Sequence, residues 1–403
     1  MADQPENEAI RLLDGDFYAD EPHRHFRWMR ENAPVYWDAS CGIWGVATHA
    51  EVQHVSRTPR IFCSGGSSRP DTPPIPSMIN MDDPGHMKRR NLVNRGFTPR
   101  RVKEHEPRIR QICRDLIARA KEKGEFDFVH EIAAPLPLLM IGDLFGMPEE
   151  DCEDLLRWSD DLIAATRRDA PADVAERGAE AFAEYAEYNR RAVTERRARP
   201  GDDLLSILVH AEIDGDRLDD EALLHETLLI LIGGDETTRH VISGGMEALI
   251  RHPGVRRQIA RNPSQIPVAV EEMLRWVSPV ANMNRTATRD AELAGRKIRE
   301  GDRLLLLYPS ANRDALVFKE PDVFDPTRDP NPHLAFGGFG PHFCLGASLA
   351  RLELRVMFEE LLSDLPPLEL TSDAPLPRTP SNFIPGIQSM PVRITDEGDG
   401  SIS

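Results

Sequence analysis

The stretch from Asp219 to Arg251 leaves this chain few folds to choose from. As a helix it is about 50 Å long at 1.5 Å per residue. Its "LLILI" (228–232) is apolar around most of the circumference, as expected of a helix running through the middle of a large protein. "GGDETT" (233–238) follows at once. Two glycines there cost about 1 kcal/mol each relative to alanine, and Thr237 and Thr238 are polar and β-branched. A central helix with such a disruption needs a reason. Either the glycines allow a close helix crossing, or the helix opens beside a bound group with an acid and a hydroxyl facing it.

What surrounds that helix is a soluble, disulfide-free chain. Of 403 residues, 40% are hydrophobic and 29% charged, enough for a large core. Five cysteines (41, 63, 113, 152, 344) are odd in number, widely spaced and without a CxxC pair, which points to a reducing, cytoplasmic compartment. The N-terminus "MADQPENEAIRLLDGDFY" shows neither a basic nor an apolar signal region, and no apolar run is long enough for a bilayer. A net charge of −18 argues against nucleic acid and anionic membrane as partners. One segment runs against that charge: "HMKRRNLVNRGFTPRRVK" (86–103) has seven Lys/Arg and no acid, either a solvated helix face or a surface with a purpose.

No repeat or low-complexity linker divides the chain, and "SSRPDTPPIPS" (67–77) reads as a loop. Helical segments are expected near 100–122, 149–166, 173–198, 219–251, 264–276 and 345–364, and β-like runs near 34–47, 292–308 and 382–394. Helices in the middle and small sheets at the ends predict one mostly α (α+β) domain over residues 1–403, with short flexible tails; the acidic "DEGDGSIS" at the end reads as disordered.

The chemistry concentrates at "AFGGFGPHFCLGASLARLE" (335–353). Leu345 onward reads as a helix, with apolar positions 345, 349, 352, 356 and 361. Cys344 then lies at its N-terminus, where free N–H groups and the helix dipole favour a negative sulfur. Glycines 337, 338, 340 and 346 let backbone approach and aim N–H groups at it, and the neighbouring phenylalanines can shield it from water. A thiolate is a strong, soft metal ligand. The bland alternative is a buried cysteine acting as a small hydrophobe; a zinc site on His342 and Cys344 lacks a second ligand pair at suitable spacing.

"FGGFGPHFCLG" resembles the haem-binding loop of the cytochrome P450 family. Other signatures of that family follow in order: "HMKRR" its His-x-x-x-Arg, "GGDETT" its oxygen-activating helix motif, "EEMLR" its Glu-x-x-Arg pair Glu272 and Arg275, and "FDPTRDPNPHLAF" the meander before the cysteine loop. The resemblance runs over nearly the whole chain and implies the P450 fold, a helical bundle with a long central helix and small β-sheets. It departs in one respect. The first Phe usually precedes the Cys by seven residues; here Phe336 precedes it by eight, which leaves the shielding role of Phe336 open.

The resemblance implies haem b, with Cys344 as axial thiolate donating electron density to iron. His86, Arg90, Arg285 and His342 match positions that contact the haem propionates, and Gly346 belongs to the same loop. Arg suits carboxylates through its planar, permanently charged fork. Glu236 and Thr237 match the acid–alcohol pair that relays protons during oxygen reduction. Glu272, Arg275 and Arg328 match a buried charge network holding the cysteine loop, structural rather than catalytic. With no flavin, iron–sulfur or dinucleotide motif in the chain, electrons would come from NAD(P)H through a ferredoxin reductase and a ferredoxin, docking on part of the 86–103 segment. Lys88 and Arg89 are the charges expected to matter there.

By family position the substrate pocket would take Met78, Ile232, Gly233, Val280, Met283 and Phe383. "DGDFYAD", "PLPLLMIGDLFGM", "LLILIGGDETTRH" and "NFIPGIQSMPV" look like an actinobacterial subfamily that hydroxylates the terminal methyl of cholesterol and cholestenone side chains. The implied reaction is 26(27)-hydroxylation, with further oxidation to the acid left open. The alternatives are another hydrophobe (a fatty acid, a methyl-branched lipid, a terpene or a polyketide) or a haem-binding sensor without turnover. The acid–alcohol pair argues against the sensor, which needs no proton relay.

Overall fold

The computed structural model describes residues 7–70, 72–166 and 170–395. The C-terminal "DEGDGSIS" lies outside the described residues.

The central helix runs without a break from Asp220 to Arg251. Asp219 caps it by accepting a hydrogen bond from the Ala222 N–H, Asp220 and Glu221 lie in its first turn, and Arg251 sits in its last, all in the sense the helix dipole favours. Pro253 opens the next helix, Pro253–Arg261. Buried residues occur all round its circumference, from Leu223 and Glu226 to Ile242 and Leu249, because helices pack on it from several sides: Pro135–Phe145, Cys152–Ala165, Ala172–Ala198, Ile266–Val277 and Ala347–Asp364.

The expected opening at "GGDETT" is therefore not a helix break. The two glycines divide the work. A Cβ on Gly234 would lie 2.5 Å from Cδ1 of Ile141, so this glycine is a close helix crossing. Gly233 has nothing within 4 Å of that position and borders open space. The Thr237 hydroxyl donates to the Gly233 carbonyl at 2.7 Å, back along the same face.

A five-stranded sheet forms the other flank, with strands in the order Val35–Asp38, Ile43–Val46, Arg303–Leu307, Asn282–Ala287, Phe62–Cys63. Arg303–Leu307 is its apolar middle. It pairs in parallel with Ile43–Val46 (Leu304 opposite Trp44) and antiparallel with Asn282–Ala287 (Leu304 opposite Arg285). A three-stranded sheet places Pro391–Ile394 between Leu368–Leu370 and Glu125–Asp127. The mostly helical α+β class holds.

Boundaries differ where local chemistry intervenes. The segment expected as one helix near 100–122 is two, Pro99–Glu104 and Glu106–Lys123, parted at His105, with Pro107 in the first turn of the second, where its missing N–H is tolerated. The helix after Cys344 begins at Ala347 rather than at Leu345. Of the run near 382–394 only Pro391–Ile394 is a strand. Helices His49–Arg57, Gly85–Asn94 and Leu204–His210 have too few turns of apolar spacing to stand out in the sequence.

Candidate active site

The cysteine loop is held from both sides. The Cys344 N–H donates to the Phe336 carbonyl at 2.9 Å, closing the loop on itself. Arg90, from the helix Gly85–Asn94, donates to the Phe343 carbonyl at 2.5 Å. Two of the four glycines do a different job from the one expected. A Cβ on Gly338 would meet Ser56 Oγ at 2.3 Å, and one on Gly340 the Ser56 carbonyl oxygen at 1.9 Å. They let the loop lie against the backbone of helix His49–Arg57, not against the sulfur. Gly346 does turn its N–H to the sulfur, with that of Ala347 beside it, and borders open space.

The longer loop is accommodated by Phe339. This residue adopts left-handed backbone, φ 60°, and turns outward to 46% exposure, stacked on Phe343 at 5.2 Å with Arg57 over its ring. Phe336 stays inside, packed on the main core, with Arg351 4.6 Å above its ring.

Cys344 is reached from open space on one side and enclosed by protein on the others. That enclosure pushes the thiol pKa up; the N–H of Gly346, Arg90, Arg351 and the N–H of Ala347 pull the other way by stabilising negative sulfur.

His86, Arg90, Arg285 and His342 converge. The rings of His86 and His342 lie 4.1 Å apart. Burial, then Arg285, His86 and Arg90, push the His342 pKa down to about 3, so it is a neutral donor at any working pH. Arg285 is buried on strand Asn282–Ala287. Among the described residues its guanidinium donates to the carbonyl of its neighbour Asn284 and makes no ion pair. His86 Nε2 is buried without a partner. Two guanidinium groups, two neutral imidazoles and no carboxylate bonded to the arginines form a donor set matched to an anionic ligand.

Glu272, Arg275 and Arg328 form one buried network. Arg328 donates to Glu272 Oε2 at 3.1 Å, and the Asp325 N–H and Asn331 side chain also donate to Glu272. Arg275 reaches the carbonyls of Asn312, Pro321 and Val323. Asn312 Oδ1 accepts from the Leu334 N–H at 2.6 Å, so the network reaches the start of the cysteine loop.

The six pocket candidates are less uniform. Gly233 borders open space, Ile232 packs half-buried beside it, and Val280 and Met283 sit half-buried at the edge of the sheet cluster. The Phe383 carbonyl accepts from the Ala281 N–H, and Arg69 lies 4.3 Å over its ring. Met78 is buried, its N–H donating to Glu226 Oε1 at 2.7 Å.

The two charges expected at a docking surface both have partners. Lys88 pairs with Asp216 at 2.9 Å on the Glu212–Arg217 hairpin, and Arg89 turns inward to the fully buried Glu226 at 3.3 Å. Arg89 is turned away from the surface, whereas Lys88 keeps its ammonium exposed beside Asp216. Glu236 is also less open than an acid relaying protons from solvent should be. It is buried, ion-paired with Arg239, which in turn reaches Asp160, and lies 3.3 Å from Nε2 of His240. Burial alone would raise its pKa, but His240 and Arg239 outweigh that and hold the carboxyl well below the usual range. His240, Glu226 and Arg69 are site residues the sequence did not single out. The spacing Glu236-x-x-x-His240 was the available signal for the first.

The fold and these groups now meet their relatives. The family model described as Cytochrome P450 matches residues 66–385. The chain is 49% identical over 388 residues to the Steroid C26-monooxygenase of Mycobacterium tuberculosis, covering 96% of this chain and 97% of the relative. It is 38% identical over 406 residues to the Methyl-branched lipid omega-hydroxylase of the same species, covering 95% and 94%. Among solved structures, a Mycobacterium marinum cytochrome P450 in complex with pseudoionone matches with a TM-score of 0.89 at 35% identity, covering 98% of this chain and all of that one. The chain belongs to the cytochrome P450 family, whose members carry haem on a cysteine thiolate. Among the described residues no helix is long and apolar enough to cross a membrane.

Proposed function

We propose that this protein is a monooxygenase that hydroxylates the terminal methyl of a cholesterol or cholest-4-en-3-one side chain. The observation that carries the reading is 49% identity along nearly the whole chain to a relative named Steroid C26-monooxygenase. The residues fit a haem. Cys344 would hold the iron, and Arg90, Arg285, His86 and His342 would hold the two carboxylates, which accounts for the buried Arg285 having no counter-ion among the described residues. The haem supplies the binding and reduction of O2; the remaining work belongs to the chain.

Ile232, Gly233, Val280, Met283 and Phe383 would wall the substrate channel, with Met78 closing it through its loop. A terminal methyl has a stronger C–H bond than the neighbouring tertiary carbon. Selectivity for it therefore rests on presenting only the chain tip. Thr237 and Glu236 would deliver protons on the oxygen side. The whole chain acts as a single catalytic domain. With five widely spaced cysteines and no CxxC pair it suits a reducing cytoplasm.

Electrons would come from NAD(P)H through a ferredoxin reductase and a ferredoxin. The docking surface we infer is a groove of about 390 Å³ beside the helix that follows Cys344, lined by Pro99, Val102 and Leu352, with Lys103, Arg351 and Arg355 on its rim. Arg351 and Arg355 are already paired with Glu271 and Glu106, whereas Lys103 is exposed and makes no ion pair among the described residues.

A second reading, terminal hydroxylation of a methyl-branched lipid, draws on the 38% identical omega-hydroxylase. Spectral titration and product analysis separate the two. Cholest-4-en-3-one should shift the Soret band at low micromolar concentration, and reconstituted turnover should give the terminal alcohol. A shift with branched fatty acids and none with sterols would overturn the sterol reading.

A further inference from the structure

Three of the segments expected to wall the pocket meet at one side chain outside the chemistry. Arg69 stands half-buried on the 67–77 loop. Its Nη1 donates to the backbone carbonyl of Asn282 at 3.1 Å and to Oδ1 of the same residue at 2.9 Å. Its Nη2 donates to the carbonyl of Asn382 at 3.3 Å and to Oδ1 of that residue at 2.8 Å. The guanidinium also lies 4.3 Å over the ring of Phe383. A planar fork of N–H donors suits this division between a strand and a distant loop; a lysine ammonium, a point charge, does not.

The two asparagines are oriented to receive it. Each turns its amide oxygen to the arginine and spends its amide nitrogen elsewhere. Asn282 Nδ2 donates to the Tyr18 hydroxyl at 3.0 Å and to the Asn382 carbonyl at 2.7 Å, and Asn382 Nδ2 donates to the Leu13 carbonyl at 3.2 Å. The Tyr18 hydroxyl gives its own hydrogen to the Leu12 carbonyl at 2.9 Å. Asn282 is fully buried, where an acceptor stripped of its donor is costly. What the clamp fixes is the residue after each asparagine. Met283 follows Asn282 and, by strand alternation, faces the other side of the sheet. Phe383 follows Asn382. Its carbonyl accepts from the Ala281 N–H at 2.8 Å, and among the described residues its ring packs on none of the three apolar cores. The guanidinium holds the ring where no apolar core does.

We propose that Arg69 is the positioning residue that makes this site select a terminal methyl, by holding the Phe383 loop against the Met283 strand at a spacing that admits only a chain tip. The inference rests on the sterol side-chain reading and on Met283 and Phe383 walling the channel. Hydroxylation at either carbon joins R–H, O2, two electrons from the redox partner and two protons to give R–OH and water. Only the position of the broken C–H bond differs. The tertiary C–H beside the tip is the weaker bond, and it is spared only by being held away from the reacting oxygen. A channel widened by loss of the clamp lets the chain slide until that carbon comes within reach.

The test uses the holoenzyme, its variants Arg69→Met and Arg69→Lys, and cholest-4-en-3-one, with the ratio of terminal to tertiary alcohol as the readout. Lys keeps the charge but cannot hold both amides. The tertiary share should rise several-fold in both variants, and Arg69→Lys carries the test if Arg69→Met does not fold. A parental ratio in Arg69→Met would remove any role in selection, and one in Arg69→Lys would reduce the clamp to a charge; either result overturns the proposal. A purely structural role would lower the unfolding midpoint and the yield of holoenzyme and leave the ratio unmoved. Phe383→Ala tests the route: adding Arg69→Met to it should shift the ratio little further, and a full additional shift overturns the action through Phe383. Amide exchange supplies a readout without turnover. Exchange over 381–384 and at Ala281 should quicken several-fold in Arg69→Met with the central helix unchanged, and parental exchange overturns the proposal by itself. If the parent makes no terminal alcohol from sterols, the sterol reading fails, and the exchange rates still decide the clamp separately.

Discussion

Arg275 donates to both carboxylate oxygens of Glu272, each at 2.7 Å, and neither side chain has any exposed surface. A pair so placed cannot be worth much against a well-packed apolar alternative, because taking two charges out of water costs about what their attraction returns. Its value lies in what else it holds: three carbonyls on Arg275, and an N–H, an amide and a second arginine on Glu272.

Removing one partner should therefore be far more damaging than the pair is stabilising. Glu272→Ala leaves two buried guanidinium groups uncompensated, at a cost of about 3–5 kcal/mol. The expected result is a sharply lower unfolding midpoint and little haem retained on purification. A variant that keeps its haem and its midpoint would show that the network does not hold the loop.

The Thr237 hydroxyl is tied to the Gly233 carbonyl on the face that borders open space. Thr237→Ala removes it without touching the fold. Substrate binding, read as the Soret shift, should be unchanged while peroxide release per product rises severalfold. Wild-type coupling in this variant would end the proton-delivery role of Thr237.

Charge reversal separates the docking surface from the basic helix as a whole. Lys103→Glu should raise the ferredoxin concentration needed for half-maximal turnover several-fold at low salt, and the difference should shrink as salt is added. Lys88→Glu, whose partner Asp216 is on the hairpin, should leave ferredoxin dependence alone. The reverse pattern would move the docking site to the Lys88 face.

Glu226 makes stability depend on pH. Burial raises its pKa from 4.5 to about 7, and the contacts from the Met78 N–H and Arg89 do not offset that. Between those two pH values the native state keeps a proton that the unfolded chain has released. Stability on this account is full below pH ~4.5, falls as pH rises toward 7, and is level beyond, a loss of at most about 3 kcal/mol at 1.36 kcal/mol per unit. Glu226→Gln, which can still accept from Met78, should flatten that fall. Urea midpoints at pH 5 and pH 8 for both proteins measure it; equal slopes would mean Glu226 is ionised in the native state.

The sequence by itself determined the chemistry that is local. Cys344 in its glycine loop, the Glu272–Arg275 pair and the Glu236–Thr237 step are each set by spacing within a turn or two, where chain geometry dictates which side chains are neighbours. What faces those turns from elsewhere in the chain was decided only by the tertiary structure. Gly340 looked like a companion of the sulfur, and it is small because Ser56 lies against it. Lys88 and Arg89 looked alike and are spent on Asp216 and Glu226. His240 passed unremarked until Gly386, from the C-terminal loop, closed on its ring. Periodicity says which side of a helix is buried, but the groups that set a buried charge or a proton's position come from residues more than a hundred places away, and only packing brings them within hydrogen-bond range.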